Sequence, residues 1–120
     1  MSGNNVANDE LIDPQAWDAI VTQLCGSTAI ARQFIADFVK AWPVRLDRLN
    51  AALDAADAEE AYVTLLSMRT GSEMVGAVRL ARRIAKLERF ARADRLDDCR
   101  LGMGKLRAIG EQTMCALLVE

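Results

Sequence analysis

A chain of 120 residues, 52% apolar and 27% charged, falls within the size of one domain with one buried core, is too hydrophobic for disorder, and has no long uncharged run for a membrane span. Seventeen acidic against fifteen basic residues leave a net charge of −2, which offers no global attraction to nucleic acid or to an anionic membrane, so any electrostatic recognition must be local. There is no histidine.

Cys25, Cys99 and Cys115 are odd in number and widely spaced, with no CxxC pair, and the N-terminus "MSGNNVANDE" is polar where a signal peptide needs an apolar run. The expectation is a reducing cytoplasm, with small buried thiols rather than a zinc site, which wants clustered ligands. Residues 1–10 read as a flexible tail preceding a bundle over 11–120.

Glycine and proline are scarce, and no alternating β-branched run is long enough for a strand. Asp13 before Pro14 opens a short helix carrying Trp17, Ile20, Val21 and Leu24 and stopping near Gly26. Ser27 caps a long helix striped by Ala31, Phe34, Phe38, Trp42, Leu46, Leu49 and Leu53. Pro43 predicts a kink within that helix rather than two elements. Asp57 caps a third helix running towards Gly76. A fourth, about 77–93, uses Leu80, Ile84, Leu87 and Ala91. A fifth, about 95–118, uses Leu96, Cys99, Met103, Leu106, Met114 and Leu117, and its Gly102, Gly104 and Gly110 require packing to hold it. Four longer helices behind a short one predict an all-α, antiparallel up-and-down four-helix bundle.

The informative stretch is "YVTLLSMRTGSEMVGA", residues 62–77. At about 100° per residue, Ala61, Leu65, Met68, Ser72 and Val75 share one face, and Tyr62, Leu66, Arg69, Thr70 and Glu73 another. If the first face is the core, Leu66 stands towards solvent. A lone exposed leucine means little, since much of any surface is apolar.

This segment resembles the signature of histidine phosphotransfer (HPt) domains, a helix reading Ala-His-x-Leu-Lys-Gly-Ser-Ser, two variable residues, an aliphatic residue and Gly-Ala, followed by a helix ending in Leu-Glu. Leu65 stands at the Ala, Met68 at the Leu, Arg69 at the Lys, Ser72 at the second Ser, Val75 at the aliphatic position, Gly76 and Ala77 at the Gly-Ala, and Leu87 and Glu88 at the closing pair. Together with the long helix "FIADFVKAWPVRLDRLNAALDAAD", the similarity spans roughly residues 15–118. The family's phosphorylatable histidine falls on Leu66, its glycine on Thr70 and its first serine on Gly71. Leucine has no lone pair with which to accept a phosphoryl group, and no other histidine exists to replace it.

The resemblance therefore implies a non-catalytic pseudo-HPt module, not an enzyme, whose remaining capacity is docking. Its implied partner is the receiver domain of a response regulator or hybrid kinase, met by Tyr62, Leu66, Arg69, Thr70 and Glu73. Arg79 and Arg82 join them from a basic ridge that also holds Lys86 and Arg89, within a stretch (with Arg83 and Arg92) whose only acid is Glu88. Such a ridge suits an acidic partner. A one-helix ridge without interleaved aromatics, in an acidic chain, does not suit nucleic acid. No cofactor or metal is expected. Asp94, Asp97 and Asp98 read as first-turn acids complementing a helix dipole, and "GMGK" at 102–105 lacks the context of a nucleotide site. A monomer is expected. The alternative is a helical-bundle interaction or self-association protein that keeps only the fold.

Overall fold

The computed structural model describes residues 11–23 and 26–119, without the side chains of residues 16, 17, 20, 21, 23 and 119. The tail 1–10, Cys25 and the expected apolar stripe of the first helix, Trp17 included, therefore lie outside the described residues and side chains. Five helices follow in order: α1 Pro14–Gln23, α2 Thr28–Asp54, α3 Ala58–Met74, α4 Val78–Arg92 and α5 Leu96–Val119.

Their starts follow from the capping residues. The Asp13 carboxylate accepts from Gln15 N–H at 3.0 Å, Ser27 Oγ from Ile30 N–H at 3.2 Å, and the Asp57 carboxylate from Glu60 N–H at 3.1 Å, each satisfying a donor that the helix cannot. α2 continues through Pro43 as one element, with the proline on its exposed side.

The ends of α2, α3 and α4 share one device. A residue in the left-handed region follows each helix, namely Ala56 (φ 54°), Gly76 (φ 76°) and Asp94 (φ 60°). The next N–H then turns back five residues: Asp57 to Ala52 C=O at 2.8 Å, Ala77 to Ser72 at 2.8 Å and Arg95 to Phe90 at 2.8 Å. These are Schellman stops, which satisfy orphan carbonyls and reverse the chain. Asp13 N–H also donates to Gly76 C=O at 2.6 Å, tying the segment before α1 to the α3–α4 turn.

Short reversals of this kind make successive helices antiparallel neighbours, and α5 closes the ring against α2 as well as α4. The result is the expected all-α four-helix bundle, with α1 laid against α2 and α3. Leu49, Leu65, Met68, Leu80, Ile84, Leu87 and Leu106 are its fully buried centre, each contributing about 1.5–3 kcal/mol of hydrophobic stabilisation. Two glycines that looked like weak points of α5 serve its packing. A Cβ at Gly102 would come within 2.6 Å of Leu87, and one at Gly110 would overlap the Trp42 indole, so both let a large side chain reach the helix backbone. The expectation of buried thiols holds for Cys99 and fails for Cys115, which is exposed. Cys99 Sγ donates to Leu87 C=O at 3.3 Å. Residue 115 falls on the side of α5 away from the bundle axis, so nothing covers it. Among the described residues, no helix is long and apolar enough to cross a membrane.

Candidate docking face

α3 presents its residues in three directions. Ala61, Leu65, Met68, Ser72 and the following Val75 are buried in the core. Tyr62, Leu66 and Arg69 are half-buried, while Thr70 and Glu73 are exposed. The single face expected from the helical projection is divided by the neighbouring helices. Tyr62 and Arg69 lean towards α4, where the Arg92 guanidinium lies 5.7 Å from the Tyr62 ring centroid. Thr70 instead lines a cleft of about 490 Å³ between α3 and α2, with Phe34, Phe38, Ala41, Gly71 and Met74 on its walls. Leu66 stands on the crest between these two sides, and the exposed apolar residues Val63 (52%) and Met74 (48%) lie round the helix from it towards the Thr70 side.

Arg69, at the position of the family's lysine, is not an open cation. Its Nε donates to Glu88 Oε1, its Nη2 to Glu88 Oε2 at 3.4 Å, and its Nη1 to Glu73 at 3.0 Å. Hydrogen bonding to Glu88, then to Glu73, holds the guanidinium pKa above its ordinary value. Glu88 is the acid of the otherwise basic helix, and it turns inward to 7% exposure. The helical projection of α4 assigns Arg79, Arg82, Lys86 and Arg89 to the solvated arc and gives Glu88 no place. The available signal was its place one turn after the buried Ile84, on the apolar arc of α4.

These two cross-contacts also fix the register of α3 against α4. Residues 62 and 69 lie level with 92 and 88, which sets Leu66 level with Arg89. Arg79 and Arg82 are exposed but sit ten and seven residues along α4 from Arg89, about 15 and 10 Å away at 1.5 Å per residue. The cations nearest the level of Leu66 on α4 are accordingly Arg89 and Arg92, the latter already over the Tyr62 ring, with Arg79 and Arg82 at the level of Glu73 and the turn.

A role for Gly71 emerges only from α2. A Cβ there would stand 3.2 Å from the Phe38 ring and 3.3 Å from the Arg45 guanidinium. Gly71, one position after the glycine of the HPt pattern, admits Phe38 to the α3 backbone. At the start of α5, Asp97 accepts from Arg100 at 2.6 Å and Asp98 from Arg95 at 2.7 Å.

In three dimensions the chain is similar to the crystal structure of histidine-containing phosphotransfer protein B (HptB) from Pseudomonas aeruginosa PAO1, with a TM-score of 0.82 and 24% identity, over 91% of this chain and 92% of that one. The fold is that of a histidine phosphotransfer protein. No family model and no curated protein matches the sequence. On this HPt fold, the segment 62–77 forms α3 and the turn after it, and Leu87 and Glu88 lie near the end of α4.

Proposed function

We propose that this chain is a non-catalytic docking module of phosphorelay signalling that acts in the cytoplasm. It binds the receiver domain of a response regulator or hybrid kinase through the outer face of α3 and relays no phosphate. The observation that carries this reading is the half-exposed Leu66, standing in a histidine-free chain on a phosphotransfer fold where the HPt pattern has its histidine. Leu66, with Val63 one turn before it, offers an apolar knob, and burying one leucine contributes about 1.5–3 kcal/mol before the costs of association. Tyr62 supplies an amphipathic contact. The cations of α4 suit the acidic pocket that surrounds a receiver's aspartate, a match that raises encounter rates more than affinity.

Arg69 acts in this reading as a structural arginine, because Glu88 and Glu73 occupy its donors. Titration against purified receiver domains of the same organism, with and without beryllofluoride to mimic phosphorylation, tests the proposal. Binding to one or more of them, lost in Leu66→Asp, is the expected result, and no binding to any of them in either form overturns it.

A second reading, an interaction protein that keeps only the fold and associates with itself, is favoured by one specific observation. The outer face of α5 carries large apolar side chains in the open.

A further inference from the structure

Leu101 is 83% exposed and Leu118 is 68% exposed, both on the side of α5 opposite its buried residues Cys99, Leu106 and Leu117. Between them the outer face carries one charge within it, Glu111, and two at its margins, Lys105 and Arg107. Leu101, Ala108 and Cys115 recur at intervals of seven, as do Gly104, Glu111 and Leu118, and all six are exposed. This is the spacing of an a/d seam, over which two helices pack side by side. α3 and α5 occupy diagonal corners of the bundle, so the seam lies on the far side from Leu66.

We infer that the outer face of α5 is a self-association surface on which a second copy of this chain packs antiparallel about a two-fold axis. The seam is its own complement in that arrangement. With the axis passing between Ala108 and Glu111, Leu101 meets Leu118 of the second copy, Gly104 meets Cys115, and Ala108 meets Glu111. A large residue covers a large one at both ends, while Gly104, Ala108 and Cys115 leave room between them for the Glu111 side chains to turn to the edge of the seam. A Cβ at Gly104 would find nothing of its own chain within 4 Å, so the space there is open to a neighbour.

Charge selects the direction. Arg107 and Glu111 lie on the same edge of the seam, and the two-fold brings Glu111 within about 1.5 Å along the axis of Arg107 of the second copy. Two symmetric ion pairs result. Arg107 spends one nitrogen on Asn50 Oδ1, at 3.1 Å, and keeps the rest of its fork for the carboxylate. A parallel pairing would instead set Glu111 against Glu111 across the seam and leave Arg107 facing the uncharged Gln112. An isologous contact of this kind closes at two copies and replaces the monomer expected from the sequence. If the proposed docking role also holds, the dimer presents two Leu66 faces outward, one from each copy, and could engage two receivers at once.

Sedimentation equilibrium over a dilution series tests the surface. The expected result is a concentration-dependent dimer whose dissociation constant rises at least about tenfold in Leu101→Glu, with an unchanged helical circular dichroism spectrum. A chain that stays monomeric at millimolar concentration, or a dimer indifferent to Leu101→Glu, overturns the inference. Glu111→Arg weakens the dimer, and adding Arg107→Glu restores it; a double variant no better than the single one removes the charge argument. For direction, Gly104→Cys in a Cys25→Ser background forms an interchain disulfide with the native Cys115 on mild oxidation, abolished by Cys115→Ser. Cross-linking that survives Cys115→Ser overturns the antiparallel register.

Discussion

The Arg69 guanidinium in α3 donates to both carboxylate oxygens of Glu88 in α4, 19 residues away, while the same guanidinium reaches back along its own helix to Glu73. The two pairs differ in worth because they differ in burial. Glu88 keeps 9% of its side-chain surface and Glu73 keeps 54%. Glu88→Gln leaves the half-buried guanidinium with only the exposed Glu73 carboxylate as a charged partner and should lower unfolding stability by about 1–3 kcal/mol. Glu73→Gln removes an exposed i,i+4 pair and should cost under about 0.5 kcal/mol. Urea titration of both variants measures the contrast, and equal losses would show that Glu88 is no better paired than Glu73.

The glycines of α5 should respond in opposite directions. Gly110→Ala drives a methyl into the Trp42 ring, so the gain in helix propensity is outweighed and stability falls by about 1–3 kcal/mol. Gly104→Ala meets no atom of its own chain and should gain up to about 1 kcal/mol of propensity. Thermal melts at low protein concentration, where association does not contribute, decide between the two signs.

The cysteines offer a probe of packing. Burial first, then the neighbouring Asp98 carboxylate, pushes the Cys99 thiol pKa up, so this thiol is both covered and kept protonated. In a Cys25→Ser background, an aromatic disulfide reagent should modify Cys115 in the folded protein and Cys99 only after denaturant is added. The sign of the linkage follows. A raised thiol pKa gives stability that is complete below the unfolded value near about 8.5 and is lost as pH rises through the folded one. A Cys99→Ala variant should therefore show a flatter decline of stability above that pH than its parent.

Leu66 separates docking from chemistry. If the face of α3 binds a receiver, Leu66→Asp should weaken the complex about tenfold to a hundredfold, the range expected from removing one buried leucine. It should leave folding intact, because the residue is half-exposed. Leu66→His alone should take up no phosphoryl group from a phosphorylated receiver, since Thr70 stands one turn away where the HPt pattern has glycine and Arg69 is held by two carboxylates. Phosphate-sensitive gel electrophoresis after mixing the two proteins reads the outcome.

How much of this was legible in sequence depends on the range of the interaction concerned. Asp13, Ser27 and Asp57 mark helix starts because a cap bonds to an N–H two or three residues on. The buried positions Ala31, Phe38, Trp42, Leu49, Leu53, Leu80, Ile84 and Leu87 follow from a stripe with a 3.6-residue period. Helix order, the four-helix bundle and the absence of any imidazole side chain were therefore determined by the chain alone. A helical projection, however, contains one helix. It set Tyr62, Arg69 and Thr70 on one face and assigned Glu88 no partner. Only the packed bundle drew Arg69 and Glu88 together across two helices, turned Thr70 towards α2, and set Arg89 rather than Arg79 level with Leu66. The exposed Cys115 and the roles of Gly71, Gly102 and Gly110 belong to the same class. Each depends on which side chain of a distant segment arrives at that spot, and this is decided by helix crossing and register, which no local period encodes.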